Sequence, residues 1–471
     1  MNFRSLISNA SVAFLAQGIS FVMGCLTSLL VPKVLGVEEF GYWQLFIFYS
    51  TYVGFFHLGL NDGVYLVEGG KSRSEIGRRA VNSQMVVGIA FQTLFAVLIA
   101  AFAFASDLGS ARVFVLLCTA YFMLAKNTAL YLGYVFQAMN ETKLYSFSCI
   151  LERVIFLVPL AALLVLQVDS FQLYVLAYCL STTCQLVYCL WHGRDFLASG
   201  FEAPGIAVRR AIGSIRIGCR LMLANIASQL ILGVARFVID AVWGIKTFGE
   251  LSLSLSMVNF ALAFVTQAAM VLFPALRQGG EHEVRSFFYN ARNIMGLVFP
   301  AAYLLYFPGV WLLGMWLPQY ANSFVFLAYL LPVCVFDSKM NIACTTYFKV
   351  AREESTLFCV NVAATIFSAA GTLLGAYVFK SVFFIIGSVT LAIILRSIYS
   401  EHRITRELSV SPCISITAGE LVITVVFIVA ATVLSPLVAF FIYLIAYLLF
   451  LVANRAHAGE ILGKLRRLGL R

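Results

Sequence analysis

The sequence is short of charge. Asp, Glu, Lys and Arg together make up 11% of its 471 residues, against about 25% in a typical soluble domain, so it lacks the polar groups to cover a water-facing surface. Histidine is scarce, with five in all, and only His57 falls clearly inside an apolar run. The 11 cysteines stand singly, mostly in apolar stretches, with no C-x-x-C and no metal-ligand spacing. They read as small buried hydrophobes and exclude both a metal site and a small disulfide framework. No cleavable leader is expected: the first apolar run, Leu6 to Val31, is far longer than a signal h-region.

What is present is apolar: 61% of the residues are hydrophobic. A bilayer core about 30 Å thick needs about 20 apolar residues per helix, and spans of up to about 25 fit by tilting. Stretches 6–31, 42–67, 81–106, 112–138, 145–167, 171–192, 218–243, 251–276, 294–316, 324–350, 356–379, 382–398, 413–434 and 437–453 qualify. The chain is therefore predicted to be an all-α polytopic membrane protein of about 14 transmembrane helices. Only Ser435-Pro436 divides the last two.

The formal net charge is +10, and its distribution decides what it means. Of the 32 Lys and Arg, 24 fall in one alternate set of connections, among them Arg73, Arg78, Arg79, Arg209, Arg210, Arg292 and Arg396. Only Lys33, Arg112, Lys246 and Lys380 fall in the other set, and Lys126, Arg153, Arg236 and Lys339 lie within spans. The positive-inside rule then places both termini in the cytoplasm. The cations are topology signals and candidate lipid-headgroup contacts; no loop is long enough for a basic nucleic-acid-binding domain.

Three short stretches recur at nearly constant separation. "GVEEFG" at 36–41 matches "GIKTFG" at 244–249, "GGKSRSEIGRRAVN" from Gly69 resembles "GGEHEVRSFFYNARN" from Gly279, and "FQAMNETKLYSF" from Phe136 resembles "FKVAREESTLF" from Phe348. The shifts are 208, 210 and 212, in order and at the same places relative to the spans. This predicts two pseudo-symmetric six-helix lobes, 1–192 and 218–411, joined by a cytoplasmic linker at 193–217. Two further helices follow at 412–453, then a basic tail at 454–471. Six spans is an even number, so the copies enter from the same side and relate by an axis along the membrane normal.

Six charged residues lie well inside spans: Asp62, Lys126, Arg236, Asp240, Asp337 and Lys339. Each would cost about 2.5–3.5 kcal/mol at a helix centre even on the lenient insertion scale. Together they would cost roughly 15–20 kcal/mol facing lipid, more than a typical domain's net stability. They must face protein or water, and a polar chamber between the lobes is the expectation. Lys126 and Lys339 are 213 apart, close to repeat-related, and would set one ammonium on each side of a shared anion such as a phosphate or pyrophosphate, with Arg236 as a third cation. The competing reading is that each lysine neutralises a neighbouring carboxylate and only holds helices together. Arg236 and Asp240, four apart, share a helix face and can pair directly. Asp337 and Lys339, two apart, point to different sides. Asp62 is a candidate ion-coupling or cavity carboxylate, or else marks a helix break before Gly63. Snorkelling explains Arg153, and Glu152 and Glu420 are secondary candidates. Gln17 and Asn225, 208 apart, and Gln229 are the candidate polar lining; amides in membranes also serve as helix glue. Trp43 and Trp316 read as interfacial anchors.

Residues 30–70, "LVPKVLGVEEFGYWQLFIFYSTYVGFFHLGLNDGVYLVEGG", resemble the start of polysaccharide-biosynthesis export proteins. These are the O-antigen flippase type within the multidrug/oligosaccharidyl-lipid/polysaccharide exporter superfamily. The similarity rests on Gly36, Phe40, Gly41 and Trp43, then Leu58-Gly59-Leu60 and Asp62-Gly63. Gly244, Phe248 and Gly249 repeat the first part without the Trp. The topology resemblance covers the whole chain, whereas the motif resemblance covers these stretches alone.

The resemblance implies alternating access by two six-helix lobes in a bacterial inner membrane. The implied cargo is polyprenyl-pyrophosphate-linked oligosaccharide, flipped from the cytoplasmic to the outer leaflet with its head held by basic residues. Membrane lipids, H+ or Na+ as coupling ion, and polysaccharide polymerase and chain-length proteins are the partners to be expected, with no cofactor and no nucleic acid. None of Lys126, Arg236 and Lys339 lies in a mapped motif, so their roles rest on burial cost. Two rivals stand beside this reading. A drug or metabolite antiporter of the same superfamily would prefer an acidic chamber, whereas the mid-span charges here are balanced. A membrane polymerase or ligase would present a long outside loop with catalytic groups, and the outside connections here are short.

Overall fold

The computed structural model describes residues 22–278, 280–457 and 459. All regular structure among these residues is helical, and no strand occurs among them. Among the described residues, eleven elements are long and apolar enough to cross a membrane. One of them, Ile226–Ala263, contains parts of both the seventh and the eighth expected spans. The first expected span lies mostly outside the described residues, and the second is broken into shorter helices, so the total remains about 14.

The chain divides into two compact units, Met1–Ile226 and Ala227–Arg471. In the first, α1 (Val31–Tyr52) contains Gly36 at φ 72°, ψ −178°. A 3-10 turn at Val53–His57 leads to a break at Leu58 and Gly59, both with positive φ, and then to α2 (Leu60–Glu68). The following helices are α3 (Arg78–Ala105), α4 (Ser110–Ala138), α5 (Thr142–Val165), α6 (Phe171–His192) and the short α7 (Arg194–Leu197). Of α8 (Pro204–Gln278), residues 204–226 belong to this unit.

The stretch expected as a linker is thus largely helical. It buries Ala207, Ala211 and Ser214 on one face, and the small residues permit backbone contact. A Cβ on Gly63 would sit 1.9 Å from the Ser214 carbonyl oxygen, and one on Gly218 would sit 2.0 Å from that of Gly59. Gly59-x-x-x-Gly63 therefore packs against Ser214-x-x-x-Gly218, the small-residue crossing by which helices associate without a hydrophobic drive.

The hub of the first unit is α4, which touches α1, α2, α3, α5 and α6. Its hydrophobic face is not enough for that position. Thr119, Ala120, Ala125, Ala129 and Gly133 keep it thin, and Gly133 admits the Tyr145 ring where a Cβ would stand 2.5 Å from it. Trp43 is 1% exposed and packs with Phe46, Phe156, Tyr174 and Tyr178. The anchor role expected for it is therefore corrected: the ring fills the unit's core. Trp316, the other expected anchor, is exposed.

The second unit holds the rest of α8, which passes through Gly244 at φ 78°, ψ −178°. It continues with α9 (Glu281–Val298), α10 (Tyr306–Trp316), α11 (Ala321–Lys339), α12 (Thr346–Val350), α13 (Glu354–Leu373), α14 (Val382–Glu407), α15 (Ile414–Val433) and α16 (Pro436–Ala453). Ser435 precedes α16 in an extended conformation and Pro436 opens the helix, as a fixed φ and a missing N–H allow at a first turn. The hub here is α11, packed on α9, α14 and α15 and continued by a wider π-helical turn at Met340–Thr345. The hubs α4 and α11 carry the repeat-related Lys126 and Lys339. Outward faces are apolar, with Val165, Phe104, Val433 and Leu437 more than 70% exposed, a surface stable only in acyl chains. The protein is a multi-pass membrane protein.

Candidate functional site

In the first unit the buried charge gathers where α4, α5 and α6 meet. Lys126 Nζ donates to both carboxylate oxygens of Glu152, at 2.8 and 2.6 Å, and to Gln185 Oε1 at 3.1 Å. The Thr182 hydroxyl donates to Glu152 at 2.8 Å. Three donors on an ammonium and four lone pairs on a carboxylate are largely accounted for, which is what makes a charge pair tolerable at this depth. The Lys126 side chain keeps 20% of its surface exposed and that of Glu152 10%, so the pair is not fully enclosed.

Asp62 sits in the first turn of α2, 8% exposed, where the helix N-terminus favours negative charge. The break before it brings His57 close: Nε2 lies 4.0 Å from Asp62 Oδ2, while the Gly59 N–H donates to His57 Nδ1 at 3.0 Å. With Nδ1 accepting, a neutral ring carries its proton on Nε2, facing the carboxylate. The helix break expected at Asp62-Gly63 is corrected: α2 runs unbroken through both residues, and the chain breaks at Leu58-Gly59 instead.

In the second unit Lys339 is 2% exposed. It donates to Glu420 at 2.6 Å and lies 3.0 Å from Glu401. Arg292, also 2% exposed, lies 3.8 Å from Glu401 and donates to Thr405 Oγ1 and the Ser411 carbonyl. Two cations and two carboxylates thus close a neutral cluster joining α9, α11, α14 and α15. Asp337 faces another way, as its spacing from Lys339 requires: Arg396 pairs with it and also donates to Asn361, and Asn341 donates to Asp337 at 3.1 Å. Arg292 and Arg396, counted as connection residues in the sequence, are corrected to buried helix residues; the rule that sorts cations by side does not see their partners.

Arg236 donates to Ser252 at 3.0 Å, and its guanidinium stacks 5.1 Å over Phe248. It lines a small cavity otherwise walled by apolar residues such as Leu232, Ile239, Leu255 and Leu330. Asp240 is 6% exposed. Gln229 is exposed on its helix. Gln17 lies outside the described residues, as does the side chain of Asn225. No group of three or more His, Cys, Asp or Glu able to hold a metal ion occurs among the described residues.

Sequence reasoning placed the six central charges but missed most of what meets them. Gln185, Thr182 and Glu401 were not singled out, Arg396 was sorted with the connections, and Glu152 and Glu420 were secondary candidates. The usable signal was charge balance at depth, since each intramembrane cation needs a carboxylate at a similar level.

Solved structures of membrane transporters share this architecture. The solved structure of the lipid II flippase MurJ in an inward closed conformation superposes with a TM-score of 0.60 at 11% identity, covering 96% of this chain and 99% of that one. An inward-facing multidrug resistance MATE family transporter superposes with a TM-score of 0.61 at 11% identity, covering 82% of this chain and 94% of that one. At that identity the likeness fixes the fold, and both neighbours are transporters, not enzymes. The family model for polysaccharide biosynthesis proteins matches residues 6–279, and the chain belongs to that family. No curated protein matches the chain.

Proposed function

We propose that the protein flips polyprenyl-pyrophosphate-linked oligosaccharide, an O-antigen or similar surface-polysaccharide unit, from the cytoplasmic to the outer leaflet of a bacterial inner membrane. The membership in the polysaccharide biosynthesis family carries this reading, since one of the two folds it resembles belongs to a flippase of lipid II and the other to a drug transporter. Both termini face the cytoplasm in this reading, on the strength of the Lys and Arg distribution, and H+ or Na+ is the coupling ion.

Lys126 is the proposed first contact for the anionic head. Its ammonium is held by Glu152 yet partly open, so a pyrophosphate can compete for it. Arg236, through a fork stacked on Phe248, and Lys339 are proposed as the further cations, and Asp62, Asp240 and Asp337 as carboxylates that balance or couple them. The test is surface polysaccharide at matched protein level in cells carrying Lys126→Ala, Lys339→Ala, both, or the Arg replacements. The double Ala variant is expected to lose export; full export by it would overturn the assignment.

A further inference from the structure

A cavity in the first unit is lined by none of these paired residues. It has a volume of about 420 Å³ and is lined by Arg78 and Arg79 at the start of α3, Ser199 and Glu202 in the loop before α8, and Arg210 on α8. The loop is pinned to α3: Asn82 donates to the Gly200 carbonyl at 3.1 Å, and the Glu202 N–H donates to Ser83 Oγ at 2.8 Å. Arg79 is tied through Nε to the Ser199 carbonyl at 3.0 Å, and Arg210 through Nε to Glu202 at 3.1 Å. Those ties leave the two η nitrogens of each fork, the pair that grips a phosphate bidentately. The nearby Asp195 is taken by Arg73, which donates to it at 2.7 and 3.1 Å, so Arg78, 3.7 Å away, is only weakly neutralised. Three guanidinium groups against one carboxylate make the lining cationic.

Apolar residues flank the same site. Phe201, Ile206 and Ile212 are 65%, 52% and 54% exposed, each within four residues of Glu202 or Arg210. Exposed large apolar residues interleaved with arginines suit a segment lying where headgroups meet acyl chains. The duplication adds a contrast. At the offset of 210 the second copy has Phe288 and Tyr289 in place of Arg78 and Arg79, so the paired arginines are not a demand of the repeated fold.

We propose that this cavity binds the phosphate headgroup of an anionic membrane lipid. The inference does not depend on what the protein transports. The shared chemistry also fits a soluble phosphate, and the exposed apolar residues decide for the lipid. The experiment uses the purified full chain in detergent, with bound lipid counted by native mass spectrometry during titration with dioleoyl phosphatidylglycerol, dioleoyl phosphatidylcholine or inorganic pyrophosphate. The wild type is expected to retain phosphatidylglycerol over phosphatidylcholine, and R78Q/R79Q/R210Q to weaken that retention about a hundredfold. E202Q, which removes the opposing carboxylate, is expected to strengthen retention, a gain that misfolding cannot produce. Equal retention of the two lipids, or wild-type retention by the triple variant together with no gain in E202Q, would overturn the proposal. Preferential capture of pyrophosphate over phosphatidylglycerol would overturn it in favour of a soluble ligand.

Discussion

Gly36 and Gly244, 208 residues apart, hold the same backbone conformation: φ 72° and 78°, with ψ −178° at both. This region is open essentially to glycine alone, and each residue begins one copy of the G-x-x-x-F-G stretch. A Cβ would meet nothing within 4 Å at either position, so conformation, not space, demands the glycine. Ala at either position is expected to cost about 1–3 kcal/mol, seen as a lowered melting temperature in detergent. The two variants should behave alike, and an unchanged melting temperature would refute the strain argument.

Gly63 makes the opposite case, because its φ is ordinary and its space is not. A Cβ there would stand 1.9 Å from the Ser214 carbonyl oxygen, and backbone on both sides leaves nothing flexible to yield. Gly63→Ala is expected to force the α2 and α8 segments apart and sharply reduce folded protein recovered from membranes. Gly205→Ala, at a position with nothing within 4 Å, is the matched control and should be recovered normally.

Removing one charge from the Lys339 cluster leaves others buried without a partner. Lys339→Met abandons Glu420, fully buried, and half-abandons Glu401. Loss of a buried partner costs about 3–5 kcal/mol, so the single variant should be poorly folded. Adding Glu420→Gln restores the charge balance and should recover much of the melting temperature. A single variant as stable as wild type would show that the cluster bears no such load.

The contact of Arg73 with Asp195 ties the loop between α2 and α3 to α7. The hydrogen bond from Arg73 holds the Asp195 carboxyl below its ordinary value. Because folding lowers this pKa, the stabilisation is full above the ordinary aspartate value of about 4 and is lost as pH falls through the lower folded value. Asp195→Asn should cost about 1 kcal/mol at pH 7. The gap in melting temperature from wild type should then narrow as pH falls from 6 to below the ordinary aspartate value, and a gap that did not shrink at all would contradict the assignment.

The fold was legible because membrane helices announce themselves by length and apolarity, and because Gly36 and Gly244 mark a duplication that only a backbone constraint preserves in so degenerate a sequence. The break falls at Leu58-Gly59 and not at the Asp62-Gly63 pair, which lies inside α2. Partners were not legible. Lys126 with Glu152, and Arg396 with Asp337, are meetings between helices whose rotations the sequence does not specify. Trp43 misled for the same reason, since an aromatic near a span's end serves equally as anchor or as core.

The account turns on Lys126 acting on cargo and not only on Glu152, and paired substitution separates the two roles. The measurement is leaflet transfer of polyprenyl-pyrophosphate-linked oligosaccharide in reconstituted vesicles, comparing wild type, Lys126→Ala and Lys126→Ala/Glu152→Gln. If Lys126 handles the anionic head, the wild type transfers above protein-free vesicles. The charge-balanced double variant then stays inactive although its melting temperature recovers. Transfer by the double variant at the wild-type rate, or none by the wild type itself, would contradict the account.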